Sequence, residues 1–426
     1  MKQSHRLNNV GLINRDKVIT FNFNGKSYQG YEGDTLASAL LANGVHLVGR
    51  SFKYHRPRGF IGAGVDEPNA KLQVTINGHS EPNINATEIE LVDGLSATSQ
   101  NCWPSVEFDI GAINNFLKRF FPAGFYYKTF MWPKSFWYKV YEPFIRKAAG
   151  LGVASLEKDK ERYEHKFEYC DLLVTGSGPS GLASAYAAAK NGAKVILAED
   201  KPRYGGTLLT DDVSIDNMSG KDWSEKIISE LKTMPNVTLK NRSQVFGYYD
   251  HNMMVMFERV GDHLSNKSKY TPRQRLWYIR AKETILSTGS IERPIVFGNN
   301  DTPGVVLSSA AKEYMKVYGV LVGRKPIIFT NNDSAYETAF EFKKNNVEPI
   351  ILDTREEHDS EVVQEAKNKG IQIKFSYGVI VANGYKKVKS AKIGKLTKDK
   401  KSFERTETIN CDCICVSGFW TPTVHL

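Results

Sequence analysis

Gly176, Gly178 and Gly181 stand in the spacing G-x-G-x-x-G, and the acid pair Glu199-Asp200 begins 18 residues after the last of them. That combination suits the pyrophosphate and ribose of a dinucleotide. Gly176 permits a tight turn, Gly178 lets backbone approach a pyrophosphate with no Cβ in the way, and Gly181 allows the next element to pack close. Glu199 is placed to accept hydrogen bonds from the adenosine ribose hydroxyls. Its charge also disfavours a 2′-phosphate, and hence NADP, although Lys201 and Arg203 nearby weaken that argument. A second glycine loop, Tyr204-Gly205-Gly206-Thr207-Leu208-Leu209, brings backbone near the same ligand.

The elements that must hold these residues are legible around them. Leu172-Leu173-Val174 predicts a strand buried on both faces, and the Ala-rich run up to Asn191-Gly192 a helix stopped by glycine. Residues 195–198 predict a second strand. The helix N-terminus then presents amides and a partial positive charge to phosphate. Residues 279–289 read as a strand running into Ser287-Thr288-Gly289, a variant of the Ala-Thr-Gly turn that returns the chain beneath the cofactor in two-dinucleotide-domain oxidoreductases. Physics alone does not separate NAD from FAD at this site, since both present a pyrophosphate and an adenosine ribose.

A second unit of the same kind follows: a strand over 326–330, a helix over 335–344, and a strand over 347–352 ending at Asp353. Its turn, Asn331-Asn332-Asp333-Ser334, has no glycine, so backbone cannot come close to a pyrophosphate and Asp333 would repel it. This half is expected to be Rossmann-like with a degenerate motif. Cys411, Cys413 and Cys415 alternate as on one face of a strand and read as buried, small apolar residues. Neither a CxxC redox pair nor a metal-ligand set accompanies them.

Ahead of the dinucleotide unit, residues 17–100 predict a small β-rich domain. Residues 18–23 alternate, Asn24-Gly25 signals a hairpin, and 26–31 return as its second strand. Asp34 is the expected N-cap of a helix over 35–43 stopped by Gly44, and 72–76 and 88–92 are further strands. This is the layout of a β-grasp domain, the fold of plant-type ferredoxins. A plant-type [2Fe–2S] cluster needs four thiolates. Residues 44–100 contain no cysteine and Cys102 stands alone, so no cluster is expected. The loop Phe52-Lys53-Tyr54-His55-Arg56-Pro57-Arg58-Gly59 is read as packed on a neighbouring domain in preference to an anion site. The aromatic, basic stretch 120–133 reads as a connector clamped between domains or subunits in preference to a base-stacking surface, and 158–167 as a charged linker.

Composition sets the outer bounds. A chain of 426 residues has room for two or three domains, and 41% hydrophobic with 24% charged residues is ordinary for a soluble globular protein. No apolar run approaches the ~18 residues of a membrane span. The first 17 residues lack an apolar signal core, and five scattered cysteines suit a reducing, cytoplasmic setting. The net charge of +10 comes without a zinc-finger, RRM or helix-turn-helix pattern. It points to a solvated surface or a basic face for an acidic partner, not to nucleic acid.

Lys53-Tyr54-His55-Arg56-Pro57-Arg58-Gly59, Gly124-Phe125-Tyr126-Tyr127-Lys128, the 176–181 turn, Glu292-Arg293-Pro294 and Ser417-Gly418-Phe419-Trp420-Thr421-Pro422 occur in that order. In this the chain resembles, over essentially its whole length, the alpha subunits of heterotetrameric sarcosine oxidases. The resemblance implies a subunit that holds NAD tightly without turning it over, with contacts on Ser180, Glu199, Asp200, Lys201, Thr207 and Val245. It implies beta, gamma and delta partner subunits and an amine substrate, sarcosine, demethylated at a flavin largely in the beta subunit, with hydrogen peroxide formed. It further implies FMN at the alpha–beta interface and tetrahydrofolate capturing the one-carbon unit in a C-terminal, aminomethyltransferase-like half. Because the sequence stops at Leu426, it is expected to be an N-terminal portion without that half, and none of its residues is expected to be catalytic.

The expectation is therefore an α/β chain with a Rossmann-like, two-dinucleotide-domain fold preceded by a β-grasp domain. A cluster-less ferredoxin-like domain occupies 1–102 and a connector 103–168. An NAD-binding Rossmann domain at 169–305 carries Gly176, Gly178, Ser180, Gly181, Glu199, Asp200, Lys201, Gly206, Thr207, Val245 and Gly289, and a truncated Rossmann-like subdomain fills 306–426. Three other readings stay open: a FAD-dependent NAD(P)H oxidoreductase, a subunit of a related opine, proline or cyanide-producing amine dehydrogenase, and a pure interaction module.

Overall fold

Alternation along two short strands builds the centre of the dinucleotide half. Leu172, Val174, Val195 and Leu197 face one apolar cluster, with Leu182, Ala185 and Ala189 of the helix Pro179–Lys190 and Trp223 and Ile227 of the helix Gly220–Thr233. Leu173, Ile196 and Ala198 face the opposite cluster, with Met254, Met256 and Ile279. A strand covered on both sides needs apolar residues at every position, which is the pattern observed. Pro179 at the first helical position and the alanines after it favour the helix, and Gly192, at a φ of 85°, ends it.

This computed structural model describes residues 3–120, 124, 130–149, 152–265 and 267–426. Two compact units divide the chain: Asp159–Arg293 with Trp420–Leu426, and Met1–Lys158 with Pro294–Phe419. The first holds a six-stranded sheet in the order Val237–Lys240, Val195–Ala198, Tyr163–Thr175, Gln274–Leu286, Met253–Arg259, Ser243–Tyr249. Its first four strands are parallel and the last two antiparallel. The expected linker at 158–167 is corrected here, because from Tyr163 it is strand, in register with Gln274–Leu286. Its charges pair across the ladder, Glu164 with Arg275 at 3.0 Å, and Phe167 stacks on Tyr278 at 5.1 Å. Ser290–Glu292 and Trp420–Pro422 close this unit as an antiparallel ribbon.

The other unit contains a five-stranded sheet in the order Lys26–Glu32, Asn14–Phe23, Ser96–Ser99, Lys71–Ile76, His79–Asn85, with the wholly buried helix Leu36–Ala42. Two expectations fail in it. Thr35, not Asp34, caps the helix, in a capping box with Ser38. Asp34 is committed elsewhere: Arg6 grips both its oxygens at 3.0 and 2.6 Å, and Ser38 and the Tyr31 N–H donate to it. Residues 88–92 form no strand. Their backbone serves the start of the helix, Leu36 N–H to Ile89 O and Leu91 N–H to Asp34 O, both at 2.9 Å. The sequence hid two strands of this sheet, Ser96–Ser99 and His79–Asn85, the latter polar and interrupted by Pro82, which an edge position tolerates.

The same unit carries a parallel sheet in the order Val305–Leu307, Cys413–Ser417, Pro326–Thr330, Ile350–Asp353, Gln372–Phe375, and an antiparallel one of Tyr377–Gly384, Val388–Leu396 and Phe403–Asn410. Cys411, Cys413 and Cys415 are all buried. They do not share one face: the strand starts at Cys413, and Cys411 joins Ile414 and Val416 in the core on the other side. In the turn at 331–334 the Asn332 side chain accepts the Ser334 N–H at 3.1 Å and donates to the Ser417 hydroxyl at 3.0 Å. Asp333 is paired with Arg355 at 2.7 Å, so its charge is offset, and Asp353 is taken by the Tyr336 hydroxyl and Arg355. Arg56 reaches Asp301 at 2.6 Å and Arg58 pairs with the same carboxylate, which packs the 52–59 loop on the segment before Val305.

Of the aromatic stretch 120–133, residues 121–123 and 125–129, including 125–128 of the motif beginning at Gly124, lie outside the described residues. Around it Phe116, Trp132 and Tyr138 are exposed. Among the described residues no helix is long and apolar enough to cross a membrane.

Candidate dinucleotide site

The glycine turn is held by distances that forbid side chains. Gly176 has a φ of 95°, and a Cβ there would stand 2.2 Å from Ser287 O. On Gly181 a Cβ would stand 1.9 Å from Gly176 O, so the helix can start where it does only with glycine at that position. Gly178 differs: no other protein atom lies within 4 Å of its Cβ direction. The first intrahelical bond is Leu182 N–H to Gly178 O at 2.9 Å, so the amides of Ser180 and Gly181 precede the ladder and have no intrahelical acceptor. Ser180 is exposed on that first turn.

Three segments meet at Ser177, a position sequence reasoning passed over because it is only an x of the motif. Its N–H and its hydroxyl both donate to Glu199, at 2.9 and 2.5 Å, and its hydroxyl accepts the Gly205 N–H at 3.1 Å. Gly206, at a φ of 53°, comes so near Gly178 that a Cβ on it would lie 2.9 Å from the Gly178 Cα. The second glycine loop is thereby tied to the first.

Glu199 is 5% exposed, and its other oxygen accepts the Lys201 N–H at 3.1 Å. Burial, and then the hydrogen-bonded Asp200 beside it, push its carboxyl up to about 8. At neutral pH Glu199 is therefore held toward its protonated form. Half-buried Asp200 gives its carbonyl to Arg259 at 2.8 Å. Thr207 lies exposed in the short helical turn Gly206–Leu209. Val245 points its side chain into the core with Leu173 and Met256. Gly289, at a φ of 67°, accepts the Thr423 N–H at 3.0 Å, and the N–H of Ser287, two residues before it, donates to the Thr175 carbonyl at 2.8 Å.

The structure thus brings Gly176, Gly178, Ser180, Gly181, Glu199 and Gly206 together at the ends of two parallel strands. Such an arrangement presents amides and a helix N-terminus to an anionic ligand. The Cβ side of Gly178 is open, with no protein atom within 4 Å. Among the described residues no group of three His, Cys, Asp or Glu side chains is placed to hold a metal ion.

Comparison with known proteins gives this geometry a lineage. Residues 171–253 match the family described as FAD dependent oxidoreductase, and residues 16–102 that of the 2Fe-2S iron-sulfur cluster binding domain. Sarcosine oxidase subunit alpha of Rhizobium meliloti (strain 1021) is 46% identical over 424 residues, 99% of this chain and 42% of the relative. The chain is a homologue of sarcosine oxidase alpha subunits. The alpha subunit of Corynebacterium sp. (strain U-96) is 32% identical over 97% of the chain and 38% of its own length. The chain therefore spans less than half the length of these curated alpha subunits. In fold it is similar to L-proline dehydrogenase from P. horikoshii, with a TM-score of 0.60 at 20% identity, covering 99% of this chain and 63% of that one. A ferredoxin-like first domain followed by an FAD/NAD-type Rossmann oxidoreductase fold is thus as expected from the sequence.

Proposed function

We propose that this chain is the dinucleotide-holding portion of a sarcosine-oxidase-type alpha subunit and that the ligand it holds is NAD. The observation that carries the reading is the junction of the 176–181 turn, Glu199 and the Gly205-Gly206 loop through Ser177. In it the Ser180 and Gly181 amides hold the pyrophosphate. Gly178 and Gly206 give it room, Glu199 fixes the turn, and Asp200, with Lys201 and Thr207, flanks the ribose. The Val245 backbone lies by the adenine and Gly289 beneath the cofactor. When bound, the dinucleotide is held without being turned over; the residues named bind and orient it.

In this reading the nucleotide module, expected over 169–305, is the unit Asp159–Arg293 with Trp420–Leu426, and the chain serves a cytoplasmic, multi-subunit oxidase with beta, gamma and delta partners. That oxidase demethylates sarcosine to glycine, passes the one-carbon unit to tetrahydrofolate and forms hydrogen peroxide, with the flavin chemistry, FMN included, centred outside these residues. The identity to the alpha subunits along nearly the whole chain supports it. A second reading, FAD in the same turn, is favoured by the match of 171–253 to FAD dependent oxidoreductases.

One experiment separates them. The purified chain is scanned through the visible range and the nucleotide released by heat is identified by mass. A colourless protein releasing NAD supports the first reading. A flavin spectrum with released FAD overturns it in favour of the second.

A further inference from the structure

Four backbone N–H groups converge on one carboxylate in the loop between the helix Leu36–Ala42 and the strand Lys71–Ile76. Glu67, 2% exposed, accepts from Ile61 at 2.6 Å and Gly62 at 2.7 Å through Oε2, and from Asn69 at 2.7 Å and Ala70 at 3.1 Å through Oε1. The domain containing this loop matches a cluster-binding family, yet residues 44–100 supply no thiolate. Convergent backbone amides are how loops hold phosphates and iron–sulfur centres.

The loop is held open toward the carboxylate from outside. Leu307 N–H donates to Ile61 O at 2.8 Å, so the peptide between Ile61 and Gly62 is pinned at its carbonyl end while its N–H points at Glu67. Tyr314, fully buried, donates its hydroxyl to Gly62 O at 2.9 Å. Asp66 braces the adjoining turn by accepting the Gly64 N–H at 3.2 Å. The concavity is thus fixed by groups other than Glu67 itself.

We propose that the 61–70 loop is an anion nest whose resident anion is the Glu67 carboxylate, and that with this side chain removed the nest takes a small carboxylate from solution. The loop then serves as a fixed joint to the Val305–Leu307 strand and the helix behind it. Burial pushes the Glu67 carboxyl upward, and the four amides draw it back toward the ionised form.

The test is thermal unfolding of the full chain with Glu67→Ala, titrated with formate and, in parallel, with neutral formamide at the same ionic strength. A lowered midpoint, largely restored by formate and untouched by formamide, is expected. A midpoint equal to wild type, or a loss that formate does not reverse, overturns the proposal. Should Glu67→Ala not fold, hydrogen exchange is compared between wild type and the isosteric Glu67→Gln. Slow exchange at Ile61, Gly62, Asn69 and Ala70 in wild type, accelerated in the variant, is expected. Fast exchange in wild type, or no acceleration, overturns it.

Discussion

Ser177 and Glu199 are joined twice, by the serine N–H at 2.9 Å and its hydroxyl at 2.5 Å, both to the same carboxyl oxygen. The first glycine turn is thereby fastened to the end of the neighbouring strand, and the Gly205 N–H on the same hydroxyl adds the second glycine loop.

Ser177→Ala removes one donor from a buried acid and the acceptor of a buried amide. The expected cost is about 1–3 kcal/mol of stability, with faster release of bound nucleotide. Denaturant unfolding and nucleotide retention after gel filtration check it. A variant matching wild type in both would show that Ser177 does not organise the turn.

The proton at Glu199 makes stability depend on pH. Its carboxyl moves from an ordinary 4.5 to about 8 on folding, so the folded state binds that proton more tightly than the unfolded chain. The stabilisation this gives is fully present below the lower value and is lost as pH rises through the upper one. Glu199→Gln imitates the protonated acid, and its unfolding midpoint is expected to change less than that of wild type from about pH 5 to about pH 8. Parallel curves would exclude Glu199 as the titrating group.

Two alanine substitutions in one motif should part company. Gly181→Ala sets a Cβ 1.9 Å from Gly176 O and is expected to disrupt folding of the unit. Gly178→Ala meets no protein atom within 4 Å, at an ordinary extended φ of −66°. It is expected to cost only about 0.5 kcal/mol as a helix cap while weakening nucleotide binding at least ~10-fold, a difference of about 1.4 kcal/mol. Melting curves with and without added nucleotide separate the two effects. Undiminished binding by Gly178→Ala would move the pyrophosphate elsewhere.

Arg6→Ala strands the buried Asp34, whose two oxygens Arg6 holds with side chains 5% and 0% exposed. A loss of about 3–5 kcal/mol is expected, read by chemical denaturation of the full chain. A loss below ~1 kcal/mol would show that Ser38 and the Tyr31 amide alone satisfy the acid.

What the sequence announced was local. The 176–181 turn, its helix and the strand Val195–Ala198 are set by neighbours a few residues apart, and all fall where spacing and alternation put them. What it concealed depends on distant partners. Thr35 and Asp34 are both good caps by type, and the choice between them was made by Arg6. The first half of the strand Tyr163–Thr175, up to Phe167, looked like a linker because the ladder partner that orders its charges begins at Gln274. Ser177 carried no signal at all, since its hydroxyl matters only once Glu199 and Gly205 are beside it. The three late cysteines alternate in sequence, but Asp412 leaves the ladder to accept the Lys325 N–H at 2.7 Å, and Cys411 falls on the other face.

The ribbon of Ser290–Glu292 and Trp420–Pro422 sets the two ends of the stretch 294–419 side by side, Glu292 opposite Trp420. On the ribosome the Thr423 amide that secures Gly289 emerges only after the whole intervening stretch has been made, so the closing ribbon is the last part of the unit to be available. A gene engineered to join Glu292 to Trp420 through a two-residue hairpin turn would encode the same unit without interruption. Its assembly would then no longer be timed by the translation of its guest.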